Sequence, residues 1–490
     1  MLLSKSSKTF IFLILVIISS ISQFFYYVEH INSGYFWAWM IFFTILLYTT
    51  TRRSKDIFDP TFLFSLFYIT FSLSVFNLIS TNFQNSQFIN TTYFYSDNLE
   101  ALCGTASYLG FIGYISFIYG YEIQKNENCS EFSELILETH KQISPLILIF
   151  IIYIFLAISL LNFTQNVFLF AHGNPLIYMK NIALRYHEFA KQGTTLGYNF
   201  AYAATFLAQF LYLRNSKKRY LLLFLAILIF ATLLKASTGR VTNTIIFPMT
   251  FLITYYYKIR GEREVNNKKY LGLIFLFAIL AITFYFLRVA SSIIACGNDF
   301  NISTVKIFIK HFAVYTFAKG NTPNIAILMK IIDSWGIDIG YSLGKTMFQW
   351  ILSPFPSSIR LLVTPVSTVI KQKWYLHIQG GALPPTAVGE MYANFGMIGP
   401  LVGMLFWGFV MGKIHAYIKR RRRLIGYIIY ANILLGFIVI FPKVETHNLS
   451  LFPFIVYFLP YIFIRFLTLA SITSKSKKSF SESKYFQNQR

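Results

Sequence analysis

The sequence predicts an all-α fold, a polytopic transmembrane helical bundle of about 12 spans with one large membrane-associated loop on its outer face. Three observations carry this. The 490 residues are 55% hydrophobic and only 13% charged, well below the roughly 25% charge of a soluble domain. Apolar runs of about 18 residues or more recur along the whole chain. Those runs are too long and continuous for the two-residue alternation of barrel strands, which leaves helices to satisfy the backbone inside a bilayer.

Windows of about 20 residues place the spans near 9–27, 34–51, 60–80, 99–120, 144–164, 197–213, 219–234, 241–258, 269–288, 395–417, 424–441 and 450–470. The first run follows Lys5 and Lys8 as a signal peptide would, but no small-residue cleavage site precedes the next span, so it reads as an uncleaved helix. The resulting organisation is a bundle with short loops over 1–288, a large loop over 289–394, C-terminal helices over 395–470, and a Ser/Lys-rich tail over 471–490 expected to be disordered and cytoplasmic. No internal repeat is visible, against an inverted-repeat transporter.

Orientation follows from Lys and Arg in the short loops. With the N-terminus inside, the inner loops collect Arg52, Arg53 and Lys55, then Arg214 to Arg219, Lys258 to Lys269, and Lys419 to Arg423. The loops at 28–33 and 81–98 hold neither Lys nor Arg. Both termini are therefore expected in the cytoplasm. The same anchoring of helix ends accounts for much of the net charge of +24. The partners it implies are membrane lipids, and no nucleic acid is expected. Of the three cysteines, Cys103 falls in a span, Cys129 in the cytoplasm and Cys296 outside, so no disulfide is expected. No CxxC or His-rich spacing is present, and neither a metal nor a cofactor is expected.

Two outer loops are sizeable, about 165–196 and about 289–394. The second is far longer than a connector needs. Its segments Lys306–Phe317 and Gly344–Leu352 are apolar enough to lie on or in the membrane surface, and Pro354, Pro356 and Pro365 forbid a single helix between them. The loop carries eight Lys and Arg against Asp299, Asp333, Asp338 and Glu390, a net +4, suited to a pyrophosphate or an anionic sugar. Arginine suits a two-pronged grip on phosphate. The outer-facing arginines are Arg185, Arg240 at the end of the turn KASTGR, Arg288 where a span leaves the membrane, and Arg360 in the Pro-rich segment. Snorkelling to lipid headgroups is the competing account. For Arg240 the turn is only a few residues long, and Ser237, Thr238 and Gly239 can turn backbone N–H groups toward an anion. Outer groups able to accept a proton are His187, Glu188, His311, His377, Glu390 and His447.

The stretch Gly380–Gly396, GGALPPTAVGEMYANFG, closes the long loop and returns the chain to the membrane. A Pro384-Pro385 turn precedes Glu390, and a Gly-spaced helix is expected to start near Asn394. A carboxylate at the lip of a membrane helix is costly and is a functional candidate by default; the competing account is an acid favoured by the helix dipole. GALPPTAVGEMYANFGMIGPLVGMLFWGF resembles the late signature of Wzy-type O-antigen polymerases, membrane enzymes that join lipid-linked repeat units into polysaccharide. Span order, loop placement, the STGR of Ser237–Arg240 and the Pro-rich segment near Arg360 agree with that family.

The resemblance implies a glycosyltransferase of the bacterial inner membrane. It would transfer a nascent glycan from undecaprenyl diphosphate to the sugar hydroxyl of an undecaprenyl-diphosphate-linked oligosaccharide at the periplasmic face, with a polysaccharide chain-length regulator as a partner. Glu390 and Arg240 are the expected catalytic residues, Glu390 as base. Arg240, Arg288 and Arg360 are expected on the pyrophosphate, Arg185 on glycan and His377 on substrate. The rivals are an O-antigen ligase, a lipid-linked oligosaccharide flippase or transporter, and a scaffold. The 380–396 stretch favours polymerase over ligase, and span interiors nearly free of charge argue against transport. The absence of a DxD pair or a Walker A motif argues against a metal-bound nucleotide sugar and an ATP motor.

Overall fold

A computed structural model describes residues 5–29, 31–52, 56–80, 98–124, 144–180, 197–237, 241–262, 267–276, 279, 283, 301, 303, 306, 325–352, 363–374, 384–421, 424–439, 441–442, 445–446, 459–464 and 466–467. Among these no strand forms, and Trp335 and Ile339 make an isolated bridge. The helices are α1 (Lys5–Val28), α2 (Gly34–Thr51), α3 (Pro60–Ser80), α4 (Leu99–Gln124), α5 (Pro145–Ala171), α6 (Pro175–Lys180), α7 (Tyr198–Asn215), α8 (Lys218–Ala236) and α9 (Val241–Glu262). They continue with α10 (Ile325–Ser334), α11 (Val366–Trp374), α12 (Thr386–Phe395), α13 (Gly399–Arg421) and α14 (Leu424–Ile433). Every expected span that lies in the described residues is helical, as the backbone requires in hydrocarbon. Among the described residues, six stretches are long and apolar enough to cross a membrane: Ser6–Val28, Pro60–Ser80, Leu99–Gln124, Pro145–Ala171, Lys218–Ala236 and Thr386–Ile418. The spans expected at 269–288 and 450–470, and the tail from 471, lie largely or wholly outside the described residues.

Local chemistry explains the ends. Ser144 caps α5 by accepting from the Leu146 N–H, with Pro145 in the first turn, and His172 in the left-handed region closes it. One expectation shifts. The helix foreseen from about Asn394 is two helices, because Pro384-Pro385 starts α12 early and Gly396, at φ +64°, ends it before α13 begins.

The chain divides into two compact units. The first comprises Met1–Ser130, Asp299–Arg420 and Ile433–Leu451. Its central helix is α4, 78% buried over its apolar window against 17% for α1. Small residues let neighbours approach α4 closely: a Cβ on Gly120 would strike the Leu405 backbone of α13, and one on Gly408 would strike the Phe117 backbone of α4. Aromatic stacking fills the remainder, as between Phe64 and Phe117, whose ring centroids are 3.8 Å apart. Cys103 is buried within α4. The second unit comprises Glu131–Asn298, Arg421–Asn432 and Phe452–Arg490. Its core is apolar, with Leu148, Ile152, Ala204, Leu207 and Leu211 fully buried.

Candidate functional site

In the first unit, α12 carries Glu390, which has no exposed surface. The helix opens under strain: Thr386 follows Pro385 with φ +67°, a conformation costing a β-branched residue on the order of 1–3 kcal/mol. Thr386 offsets part of this by accepting the Gly389 N–H through Oγ1 at 3.1 Å. Glu390 stands beyond the first turn of α12, which holds no acid, so the helix dipole does not account for it.

Both oxygens of Glu390 are held by Thr446, and the Thr346 hydroxyl also hydrogen-bonds the carboxylate. The Thr446 backbone N–H donates to Oε2 at 2.7 Å, and the Thr446 hydroxyl lies 2.6 Å from Oε1. That hydroxyl is also 3.1 Å from the carbonyl oxygen of Thr346. One hydroxyl proton thus serves two acceptors. An ionised Glu390 takes it at the shorter contact; a protonated Glu390 donates to Thr446, which then donates to Thr346. The network fits either state without moving a heavy atom.

The surroundings are built to hold this arrangement. Asn394, one turn along α12, donates to the Glu390 carbonyl oxygen at 2.8 Å and to Thr346 Oγ1 at 2.6 Å. Its own side-chain oxygen accepts the Gly344 N–H at 2.9 Å, while Ser342 and Leu343 donate to the carbonyls of Ala393 and Asn394. The segment 342–346 therefore caps the C-terminal end of α12. Glu445, next to Thr446, turns to α11: its carboxylate accepts the Ser367 N–H at 3.2 Å and the Ser367 hydroxyl. Burial pushes the Glu445 carboxyl up to about 7, against the lowering by the Ser367 donors. Glu390 and Glu445 also interact electrostatically. Among the described residues neither carboxylate has an ion-pair partner, and no group of three or more metal-ligating side chains forms.

Within 289–394, Lys330 pairs with Asp333 at 3.5 Å and Lys373 with Asp338 at 3.4 Å, so two of its cations are already engaged with its own acids. In the second unit, the start of the KASTGR turn is buried. Lys235 donates to Asn199 Oδ1 at 3.1 Å and lies 4.8 Å over the Tyr202 ring. Ser237 is buried and donates to the Leu234 carbonyl. Nearby, Tyr198 is hydrogen-bonded to Asn166 and Tyr178.

Of the expected site residues, Glu390 is the one the described residues contain. Arg185, Arg240, Arg288, Arg360 and His377 lie outside them, as do His187, Glu188, His311 and His447. The partners of Glu390 escaped the sequence reading. The signal available was the polar run Glu445–Asn448 between two apolar stretches, and an Asn one helical turn after the carboxylate.

Among curated proteins and solved structures, none matches the chain significantly. A sequence profile for O-antigen polysaccharide polymerase Wzy matches residues 8–477. That is nearly the whole length, and it takes in every span and both carboxylates. A multi-pass helical chain with this match belongs to the O-antigen polysaccharide polymerase Wzy family, glycosyltransferase-type enzymes that act on lipid-linked repeat units in the membrane.

Proposed function

We propose that this O-antigen polymerase works at the outer, periplasmic face of the bacterial inner membrane, with both termini cytoplasmic and 289–394 as its outer loop. The donor is a nascent glycan on undecaprenyl diphosphate, and the acceptor is a sugar hydroxyl of a new lipid-linked repeat unit. The acceptor oxygen bonds to the donor's anomeric carbon. The bond from that carbon to the diphosphate oxygen breaks, and undecaprenyl diphosphate leaves with the electron pair. Arg240, Arg288 and Arg360 stabilise the departing pyrophosphate, Arg185 binds glycan, His377 contacts substrate, and Glu390 takes or orients the acceptor proton. A chain-length regulator is the expected protein partner.

The observation that supports this reading is Glu390 itself. It is a buried carboxylate on the helix that leads into α13, among the described residues held by neutral donors and able to change protonation in place. The test is polymer synthesis by purified protein on lipid-linked repeat units, at matched protein amounts. Glu390→Gln keeps size but loses proton acceptance, so turnover should fall by roughly 10²-fold or more. Near-normal turnover removes Glu390 as base and moves the search to His377, His447 or His187. In cells, a deletion strain should leave one repeat unit on the lipopolysaccharide core; a core with no O-glycan, beside long polymer on the carrier lipid, would indicate ligase chemistry.

A further inference from the structure

We infer that Thr446, seated by Glu445, is the positioning residue of Glu390: its backbone fixes the carboxylate and its hydroxyl carries the proton adjustment the carboxylate needs. The inference rests on the reading that Glu390 handles the acceptor hydroxyl.

Two consecutive residues hold different partners. Glu445 anchors on Ser367 near the start of α11, while Thr446 reaches α12 through Glu390 and the 3₁₀ segment Thr346–Leu352 through the Thr346 carbonyl. The dipeptide therefore ties three separate stretches of the first unit to one carboxylate, and Glu390, Glu445, Thr446 and Asn394 have no exposed surface. A carboxylate that served only as structural glue would be best held by a cation, since an unpaired buried charge is costly. Here the holders among the described residues are neutral, which leaves protonation of Glu390 accessible. When a proton arrives on Glu390 Oε1, the Thr446 hydroxyl turns from Glu390 to the Thr346 carbonyl, 3.1 Å away. Asn394 keeps Thr346 in place for that turn, bonding its Oγ1 at 2.6 Å. Glu390 gains the proton, while Thr446 neither gains nor loses one; its hydroxyl only rotates.

The experiment compares wild type, Thr446→Val, Thr446→Ser, Glu390→Gln and the double variant that combines Glu390→Gln with Thr446→Val. All are full-length, purified and assayed on lipid-linked repeat units at matched folded amounts. Valine keeps the shape and backbone N–H but removes the hydroxyl. Its turnover should fall roughly ten- to hundredfold with KM within about threefold, serine should recover most of the loss, and valine should cost little more once Glu390→Gln is in place. Wild-type turnover in Thr446→Val overturns the inference while leaving Glu390→Gln to test the base separately. An undiminished valine effect in the Glu390→Gln background overturns the coupling. Wild-type turnover in Glu390→Gln defeats the underlying reading, and the inference with it. Should Thr446→Val fail to fold, Ser367→Ala replaces it. This change releases Glu445; a loss of turnover that disappears in the Glu390→Gln background supports the inference, and no loss overturns it.

Discussion

Glu445, buried outside the spans, responds to a change of pH. Its folded pKa of about 7 stands above the ordinary carboxyl value because it is buried. A group shifted in that direction stabilises the fold fully below its unfolded pKa, near 4.5, and loses that contribution as pH rises through about 7. The melting temperature of the detergent-solubilised protein should therefore decline between pH 5 and pH 8, and the decline should shrink in Glu445→Gln. Equal slopes in the two proteins would remove Glu445 as the cause. A second residue-scale prediction concerns Arg240. Arg240→Ala should abolish polymer at near-normal protein level, and Arg240→Lys should also be poor, since a point charge cannot reproduce a bidentate grip on phosphate. Full activity in the Lys variant would reduce the role to charge alone, and full activity in the Ala variant would take Arg240 out of the site.

Helix packing puts different demands on glycines that look alike in sequence. Gly408 of α13 lies against the Phe117 backbone of α4, whereas Gly272 has open space around it. Backbone cannot step aside as a flexible side chain can, so Gly408→Ala should destabilise the first unit by about 1–3 kcal/mol. Gly272→Ala should be neutral, or stabilising by about 0.5–1 kcal/mol through helix propensity. Thermal melts of the two variants in one detergent check the contrast; equal melting temperatures would mean that α4 and α13 do not depend on this approach. The same contact matters for the site, because α13 continues from α12 through Gly396, and α12 carries Glu390.

The prediction for the whole molecule concerns sidedness. The basic clusters are the ground for proposing that the 289–394 loop lies outside. Ser334, at the middle of that loop, looks like a natural place for a reporter cysteine, but it is buried at the end of α10. Ile337, three residues on, is 82% exposed. With Cys103, Cys129 and Cys296 replaced, Ile337→Cys should react with an impermeant thiol reagent in cells whose outer membrane alone is permeabilised. Reaction only after inner-membrane lysis would reverse the topology and remove the periplasmic site.

Periodicity and hydropathy belong to the chain itself, so the all-α membrane bundle was legible without coordinates. A bilayer leaves the backbone few alternatives. Glu390 stood out as a candidate, because a carboxylate beside an apolar helix is rare enough to be conspicuous. Its setting was not legible. Glu445 and Thr446 stand 55 and 56 residues beyond Glu390 in the chain, and Thr346 stands 44 before it. Nothing local distinguishes a threonine that holds a carboxylate from one that faces lipid or water. The start of α12 was also hidden, since Pro384-Pro385 is compatible with a turn as well as a helix start. Hydrogen bonds between distant segments depend on which helices meet, and only the packing of α11, α12 and the 342–346 segment around residues 445–446 decided that Glu390 would be buried, doubly bonded and left without a cation among the described residues.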